Sequence, residues 1–219
     1  MTALDSRVLV LASASPARLG LLRSAGLDPR VRVSGVDEDA VVSVHARNSP
    51  LGASLSSSEI ALLLAQAKAA DVVDQLTREA QTHVPPIVLG CDSVLEVGDQ
   101  THGKPGTEQI ARQRWRAIRG TSATLHTGHC VVDMSTGQEL AAVGSTELKF
   151  ADVTDDEIDD YIASSEPLKV AGGFTLDGRG APFVQSIVGD PSNVIGLSLP
   201  LLRRMLIGID VAWGQVLTR

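Results

Sequence analysis

The sequence is short of aromatic residues, of cysteine and of long apolar runs. Phenylalanine, tryptophan and tyrosine together make up 3% of its 219 residues, which leaves few side chains for stacking the bases of a single-stranded nucleic acid. The net charge of −7 also argues against an extended nucleic-acid surface, which needs many lysines and arginines. A small anionic ligand is compatible with that charge, because it needs only a few well-placed cations.

The two cysteines, Cys91 and Cys130, form neither a CxxC pair nor a zinc-ligand spacing. We interpret both as reduced core residues of an intracellular, cytoplasmic protein. The apolar run near the N-terminus is too short for the core of a signal peptide. No stretch approaches the roughly 20 apolar residues of a membrane span, so we expect no membrane partner.

Strand and helix patterns alternate along the chain, which predicts a mixed α/β fold in one domain spanning residues 1–219. Ser56, Thr107 and Thr154 have the positions of helix N-caps. We expect strands at Val8–Ala12, Val31–Val36, Ile87–Gly90, Val94–Val97, Ser122–Asp133 and Glu139–Ala151, helices at Arg18–Ala25, Glu59–Glu79, Glu108–Ile118, Ile158–Ala163 and Pro200–Ile207, a loop over Asp39–Ser58, and a strand–turn–strand over Gly172–Gly189.

A cluster of small and basic residues lies where the first strand ends and the first helix begins. Free N–H groups and the helix dipole at such a junction favour a phosphate group. The hydroxyls of Ser13 and Ser15 and the guanidinium of Arg18 would complete an anion cradle. The alternative is that Ser15 only caps the helix.

Two acidic residues are candidates for binding a metal ion or an attacking water. Asp92 interrupts an apolar strand, where an unpaired carboxylate is costly, so we expect it to bind a metal or to accept a proton. The alternative is that Asp92 caps a turn. Glu38 follows the second strand, and its oxygens suit a hard cation. The alternative for Glu38 is a solvated loop.

Two lysines complete the candidate site. Pro105 restricts Lys104 to an extended backbone, which would aim the ammonium into a cleft. Lys68 lies among the apolar residues of the long helix. The alternatives are a solvated Lys104 and a Lys68 that extends along the helix surface into water. No GxxxxGK[ST] or GxGxxG motif is present, which excludes a P-loop or Rossmann site.

In chain order, these segments resemble the Maf family. The family's opening signature is similar to LASASPARLGLLRSAGL and VSGVDE, its central block to GCDSVL, GKP and GTSATLHTGHCVV, and its closing block to SSEPLKVAGGFTLDGRGAPFV and GDPSNVIGLSLPLL. The resemblance extends from about residue 8 to residue 207. It implies a two-lobed mixed sheet with flanking helices and a central cleft, similar to inosine triphosphate pyrophosphatases. Homodimers are common in the family.

The resemblance also implies an activity. Family members split a nucleoside triphosphate between its α and β phosphates, giving the monophosphate and pyrophosphate with a divalent cation, Mg²⁺ or Mn²⁺. By position, Asp92 corresponds to the family's proton acceptor, and Glu38 falls on another active-site position. For this reaction we expect Glu38 and Asp92 to hold the metal ion. The alternative is a nucleotide-sensing regulator of cell division, because the family is named after inhibition of septum formation. The remaining active-site positions of the family fall on Ser13, Arg18, Lys68 and Lys104.

Three further positions help to set substrate choice in the family: Ala17, Ser93 and Asp177. Many members carry two adjacent basic or bulky residues after Ser-Pro, whereas Ala17 precedes Arg18 here. The branch acting on dTTP and UTP tends to have Thr and Gln at the other two positions, and the 7-methyl-GTP branch has Gln and Glu. Ser93 and Asp177 match neither pair fully, so the resemblance implies no particular base.

Overall fold

A computed structural model describes residues 6–48, 54–79 and 85–218. The strands are β1 (Leu9–Leu11), β2 (Arg30–Val31), β3 (Ile87–Val97), β4 (Gln100–His102), β5 (Ser122–Asp133), β6 (Glu139–Phe150) and β7 (Val184–Val188). The helices are α1 (Pro16–Ser24), α2 (Glu38–Asn48), α3 (Ser57–Glu79), α4 (Glu108–Ile118), α5 (Asp155–Ala163), α6 (Pro191–Ile195), α7 (Leu199–Gly208) and α8 (Trp213–Val216).

The strands form one mixed sheet in the order β2-β1-β3-β5-β6-β7, with β4 added beside β3. β1 is parallel to both of its neighbours, and the other pairs are antiparallel. The helices pack against this sheet. The predicted mixed α/β fold is therefore confirmed.

β3 joins the two halves of the sheet. One of its edges pairs with β5 from Ile87 to Glu96. The other edge pairs with β1 over residues 87–89 and with β4 over residues 95–97. Within the described parts of the chain, the residues between these two pairings have no strand beside them on that edge. This gap in the pairing leaves an opening beside the middle of β3, which contains Asp92.

Hydrophobic clusters lie on both sides of this opening. Two clusters sandwich the β1 end of the sheet, one beneath α1, α7 and α8 and the other beneath α3. A third cluster fills the other half, between the sheet and the pair α4 and α5. Trp115 lies at its centre and makes edge contacts with Phe150, Tyr161 and Phe183. Most of the few aromatic residues therefore stabilise one half of the fold.

Most predicted elements are confirmed. Ser56, Thr107 and Thr154 all accept the backbone N–H that defines an N-cap. Both cysteines are buried, and burial raises the pKa of Cys91 to about 12, as expected for a core thiol. The two predicted strands around Gly90 and Val97 are one continuous strand, β3. Among the described residues, no helix is long and apolar enough to cross a membrane.

Three predictions are wrong. The loop predicted over Asp39–Ser58 contains α2, which the exposed side chain of Asp37 caps; residues 54–56 are irregular as expected, and residues 49–53 lie outside the described part. The strand predicted at Val31–Val36 ends at Val31, because β1 offers only three residues for pairing. The segment Gly172–Gly189 contains short 3₁₀ turns and a single strand, β7.

Candidate active site

Two serines shape the junction between β1 and α1. Ser15 is the N-cap of the helix, because its hydroxyl accepts the Arg18 N–H at 3.4 Å. The buried hydroxyl of Ser13 accepts the Ser15 N–H at 3.2 Å. The capping interpretation of Ser15 is thus confirmed, while the binding of phosphate to either serine stays a prediction.

The Arg18 side chain points from α1 into the opening beside β3, and it is only 8% exposed. Nε donates to Gly196 O at 2.7 Å, and Nη1 donates to Cys91 O at 2.9 Å and to Ser13 Oγ at 3.1 Å. Nη2 donates to Ser93 Oγ at 3.0 Å. A guanidinium has five N–H groups, so these four bonds leave one N–H, on Nη2, for a ligand.

Lys68 and two carboxylates form an ion cluster at the same opening. The ammonium of Lys68, on α3, lies 2.5 Å from Asp92 Oδ1 and 2.6 Å from Glu38 Oε1. Asp92 lies in the middle of β3, and Glu38 is the first residue of α2. Lys68 and Asp92 are 9% and 8% exposed, so each needs the other as a buried counter-charge. Lys68 therefore does not extend into water, and Asp92 is paired.

Two glycines allow α3 to lie close enough to the sheet for this cluster to form. A Cβ on Gly90 would lie 2.2 Å from Ala65 O, and one on Gly128 would lie 2.1 Å from Ala61 O. Both distances are far below ordinary van der Waals contact, so only glycine permits this approach of strand and helix. The backbone of α3 thereby brings Lys68 within reach of β3.

Burial and charge act differently on the two carboxylates. Burial raises the pKa of Asp92, and the positive charges of Lys68 and Arg18 only partly offset the effect. Burial also acts on Glu38, but Lys68, Lys104 and Arg18 together hold the pKa of that carboxyl below its usual range. Asp92 is thus the stronger base of the pair.

Lys104 and Ala17 lie around this cluster. Lys104 follows β4 and is exposed, yet its charge contributes to lowering the pKa of Glu38. It is therefore within electrostatic range of the acidic pair, although no hydrogen bond or ion pair joins them among the described residues. Ala17 is half-buried in the first turn of α1, one residue before Arg18.

Asp177 is the remaining predicted site residue. It is exposed, on a loop that Glu166 holds in place. The carboxylate of Glu166 accepts the N–H groups of Arg179 at 3.2 Å and Gly180 at 3.3 Å, and the Tyr161 hydroxyl at 3.0 Å. Within the described chain, no hydrogen bond or ion pair links Asp177 to the Lys68 cluster.

The sequence interpretation missed the buried residues behind Arg18. Ser93 Oγ, which accepts from Arg18, lies 3.0 Å from Thr127 Oγ1, and Thr127 Oγ1 donates to Asn193 O at 3.0 Å. Thr127 and Asn193 are fully buried. Both residues lie in segments that resemble the family, GTSATLHTGHCVV and GDPSN. No neighbouring residue indicates that Thr127 or Asn193 contacts the site.

The carboxylates of Glu38 and Asp92 suit a hard divalent cation whose remaining ligands come from the substrate and from water. Glu38 and Asp92 already converge on one cation, the Lys68 ammonium. Over the described ranges, no group of three or more His, Cys, Asp or Glu side chains forms a full metal cage. Mg²⁺ commonly binds through one or two carboxylates, with substrate phosphates and waters as the other ligands. The two carboxylates fit that kind of site.

Comparison with known proteins gives the same family over almost the whole length. The model of the family described as "Maf-like protein" matches residues 8–209. A "Nucleoside triphosphate pyrophosphatase" of Streptomyces coelicolor is 52% identical over 218 residues, covering 98% of each chain. Proteins of the same name from Salinispora tropica and Streptomyces avermitilis are 51% and 48% identical, covering 93% and 97% of this chain and 84% and 98% of their own lengths.

Proposed function

The chain belongs to the Maf family, and from that premise we propose that it is a nucleoside triphosphate pyrophosphatase. In this reaction, water attacks the α-phosphorus and the bond to the bridging oxygen of the β-phosphate breaks. The products are a nucleoside monophosphate and pyrophosphate. The buried Lys68 between Asp92 and Glu38 is the observation that carries the proposal, because it places a base and a phosphate-binding cation at one opening.

We assign the proton acceptor to Asp92. Its buried position raises its pKa, which strengthens it as a base for the attacking water. Lys68 contacts the same carboxylate at 2.5 Å and holds it in place. When a phosphate chain enters, the ammonium of Lys68 and that of Lys104 are the groups able to stabilise the negative charge that gathers on the leaving pyrophosphate.

Arg18 can donate fewer hydrogen bonds to a substrate than an arginine without protein partners. Four of its N–H groups are bonded to the protein, so it offers the substrate its charge and a single N–H. Ser13 and Ser15 surround the first turn of α1, where backbone N–H groups and the helix dipole favour a phosphate oxygen. We propose that this turn and Arg18 orient the phosphate chain against Asp92.

We propose that Glu38 and Asp92 hold a divalent cation, Mg²⁺ or Mn²⁺. Such an ion, when bound, neutralises phosphate charge and lowers the pKa of a bound water. The base of the nucleotide stays unassigned. Ser93 is engaged with Arg18 and Thr127, Ala17 is small, and Asp177 lies on an exposed loop, so none of the three shows a preference for one base.

Product analysis tests the proposal. The full chain would be incubated with common and modified triphosphates in Mg²⁺ or Mn²⁺, and the products separated by chromatography. We expect the monophosphate and pyrophosphate; release of orthophosphate, or no turnover of any nucleotide, would contradict the reaction. A homodimer and a cytoplasmic location stay predictions, to be checked by light scattering and cell fractionation.

A substitution tests the assignment of the base. Asp92→Asn keeps the shape of the side chain and removes the proton acceptor, so we expect turnover to fall by roughly 10²–10⁴-fold. The matched control is Asp156→Asn on the exposed side of α5, which should retain the rate of the unmodified chain. An Asp92→Asn variant with undiminished turnover would remove Asp92 from the reaction.

A further inference from the structure

A chain of hydrogen bonds leads from Arg18 into the interior of the protein. Arg18 Nη2 donates to Ser93 Oγ at 3.0 Å, Ser93 Oγ lies 3.0 Å from Thr127 Oγ1, and Thr127 Oγ1 lies 3.0 Å from Asn193 O. Thr127 is fully buried and does not line the opening. Its hydroxyl therefore reaches the guanidinium of Arg18 through Ser93.

The innermost group, the carbonyl oxygen of Asn193, determines which partner is the donor in each of these hydrogen bonds. The carbonyl oxygen of Asn193 only accepts, so Thr127 gives it the single hydroxyl proton that it has. The Thr127 oxygen then accepts the proton of Ser93. Ser93 in turn faces Arg18 with its lone pairs, as an acceptor only. The hydroxyl of Thr127 thus makes Ser93 a fixed acceptor for the guanidinium.

The inner end of the chain is itself held firmly. Nδ2 of Asn193 is within 3.2 Å of Leu125 O, Gly144 O and Thr146 Oγ1, which ties α6 to β5 and β6. Three residues later, Gly196 O accepts directly from Arg18 Nε. The α6 segment therefore holds Arg18 in two ways, directly at one nitrogen and through two hydroxyls at another.

We infer that Thr127 is a positioning residue for Arg18, which sets the direction of the one N–H that the guanidinium offers to the substrate. The inference rests on the proposed function, because it concerns the same phosphate-binding group. Without the Thr127 hydroxyl, the Ser93 proton loses its acceptor and Ser93 is free to rotate. The guanidinium then loses its fixed acceptor at Nη2 and is held only at Nε and Nη1, so the whole group can shift relative to the phosphate chain.

The variant Thr127→Val removes the hydroxyl and keeps the shape of the side chain. We expect kcat/KM to fall about tenfold, the equivalent of one hydrogen bond. Thr127→Ser keeps the hydroxyl and should restore most of the lost activity. If the role were merely structural, Thr127→Ser, which loses a methyl group, would have a lowered melting temperature and would restore none of the activity lost in Thr127→Val.

A double-mutant cycle separates positioning from general loosening. In a Ser93→Ala background the series of hydrogen bonds from Arg18 to Thr127 is already interrupted. Adding Thr127→Val to that background should therefore lower kcat/KM by less than twofold. A further tenfold loss in that background, or full activity of Thr127→Val alone, would overturn the inference. If Thr127→Val does not fold, Ser93→Ala by itself must show the tenfold loss.

The unmodified chain separates this inference from the proposed function. If it releases no pyrophosphate from any triphosphate, the proposed function fails. If it does so and Thr127→Val is equally active, only the positioning role fails.

Discussion

The contact between α3 and β3 gives a sharp test of how the site is assembled. Gly90 lies beneath α3, and a Cβ there would lie 2.2 Å from Ala65 O and 2.9 Å from Ala69 N. Both neighbours are main-chain atoms of a helix, which cannot rotate away as a side chain would. Gly90→Ala must therefore separate helix and strand by about 1 Å to reach an ordinary contact distance.

That separation should lower both stability and turnover. Inserting a methyl group into a well-packed contact typically costs about 1–3 kcal/mol of unfolding free energy. For a chain of this size, each kcal/mol lowers the melting temperature by roughly 2–4 °C. The shift also moves the Lys68 ammonium away from Asp92, which it now contacts at 2.5 Å. A displacement of about 1 Å at a reacting group can lower the rate by roughly 10²-fold.

Thermal unfolding and pyrophosphate release measure the two effects. The matched control is Gly20→Ala on the exposed side of α1, where an added Cβ meets no heavy atom within 4 Å. That variant should gain about 0.5–1 kcal/mol, because alanine is the better helix former, and should keep its turnover. Unchanged stability and unchanged turnover in Gly90→Ala would refute the claim that glycine is needed for the approach of α3.

Two further predictions concern stability. Burial, and next the charge of Arg18, lower the pKa of His129 to about 4, and its neutral Nε2 accepts the Ser198 N–H at 2.8 Å. Between pH 6.5 and 4 the unfolded chain thus binds a proton that the folded chain does not, so stability should fall as pH falls, by about 3 kcal/mol in total. Urea unfolding across that range should show a steeper loss than in His129→Gln; equal slopes would contradict the assignment. Thr154→Ala removes the capping box of α5 and should cost about 1 kcal/mol with unchanged turnover, whereas an unaltered melting temperature would contradict it.

Features that depend on residues close together in the sequence were predicted best. The caps at Ser56, Thr107 and Thr154 were predictable because the bonding partners lie three residues away. α2 was missed for the opposite reason. None of its residues is buried, so it shows no apolar stripe that would indicate a helix. Its cap, Asp37, was not recognised, because aspartate is also common in loops and turns.

The site was only partly predictable because its contacts join distant parts of the chain. Asp92 stood out as a carboxylate in an apolar strand. Lys68 looked like any lysine on an apolar helix, since its partners Asp92 and Glu38 lie 24 and 30 residues away. Thr127 and Asn193 carry no local sign of a role, and only the folded sheet places them behind Arg18.

The net charge of the site indicates that a triphosphate would need additional positive charge in order to bind. The two buried cations, Arg18 and Lys68, are already opposed by the two carboxylates Asp92 and Glu38. These four charges cancel, so among the cations assigned to the site only Lys104 has no carboxylate of the site to oppose it. A triphosphate chain carries several negative charges, which one exposed lysine does not neutralise. A divalent cation on Glu38 and Asp92 would both supply the missing charge and leave the Lys68 ammonium available to the phosphates.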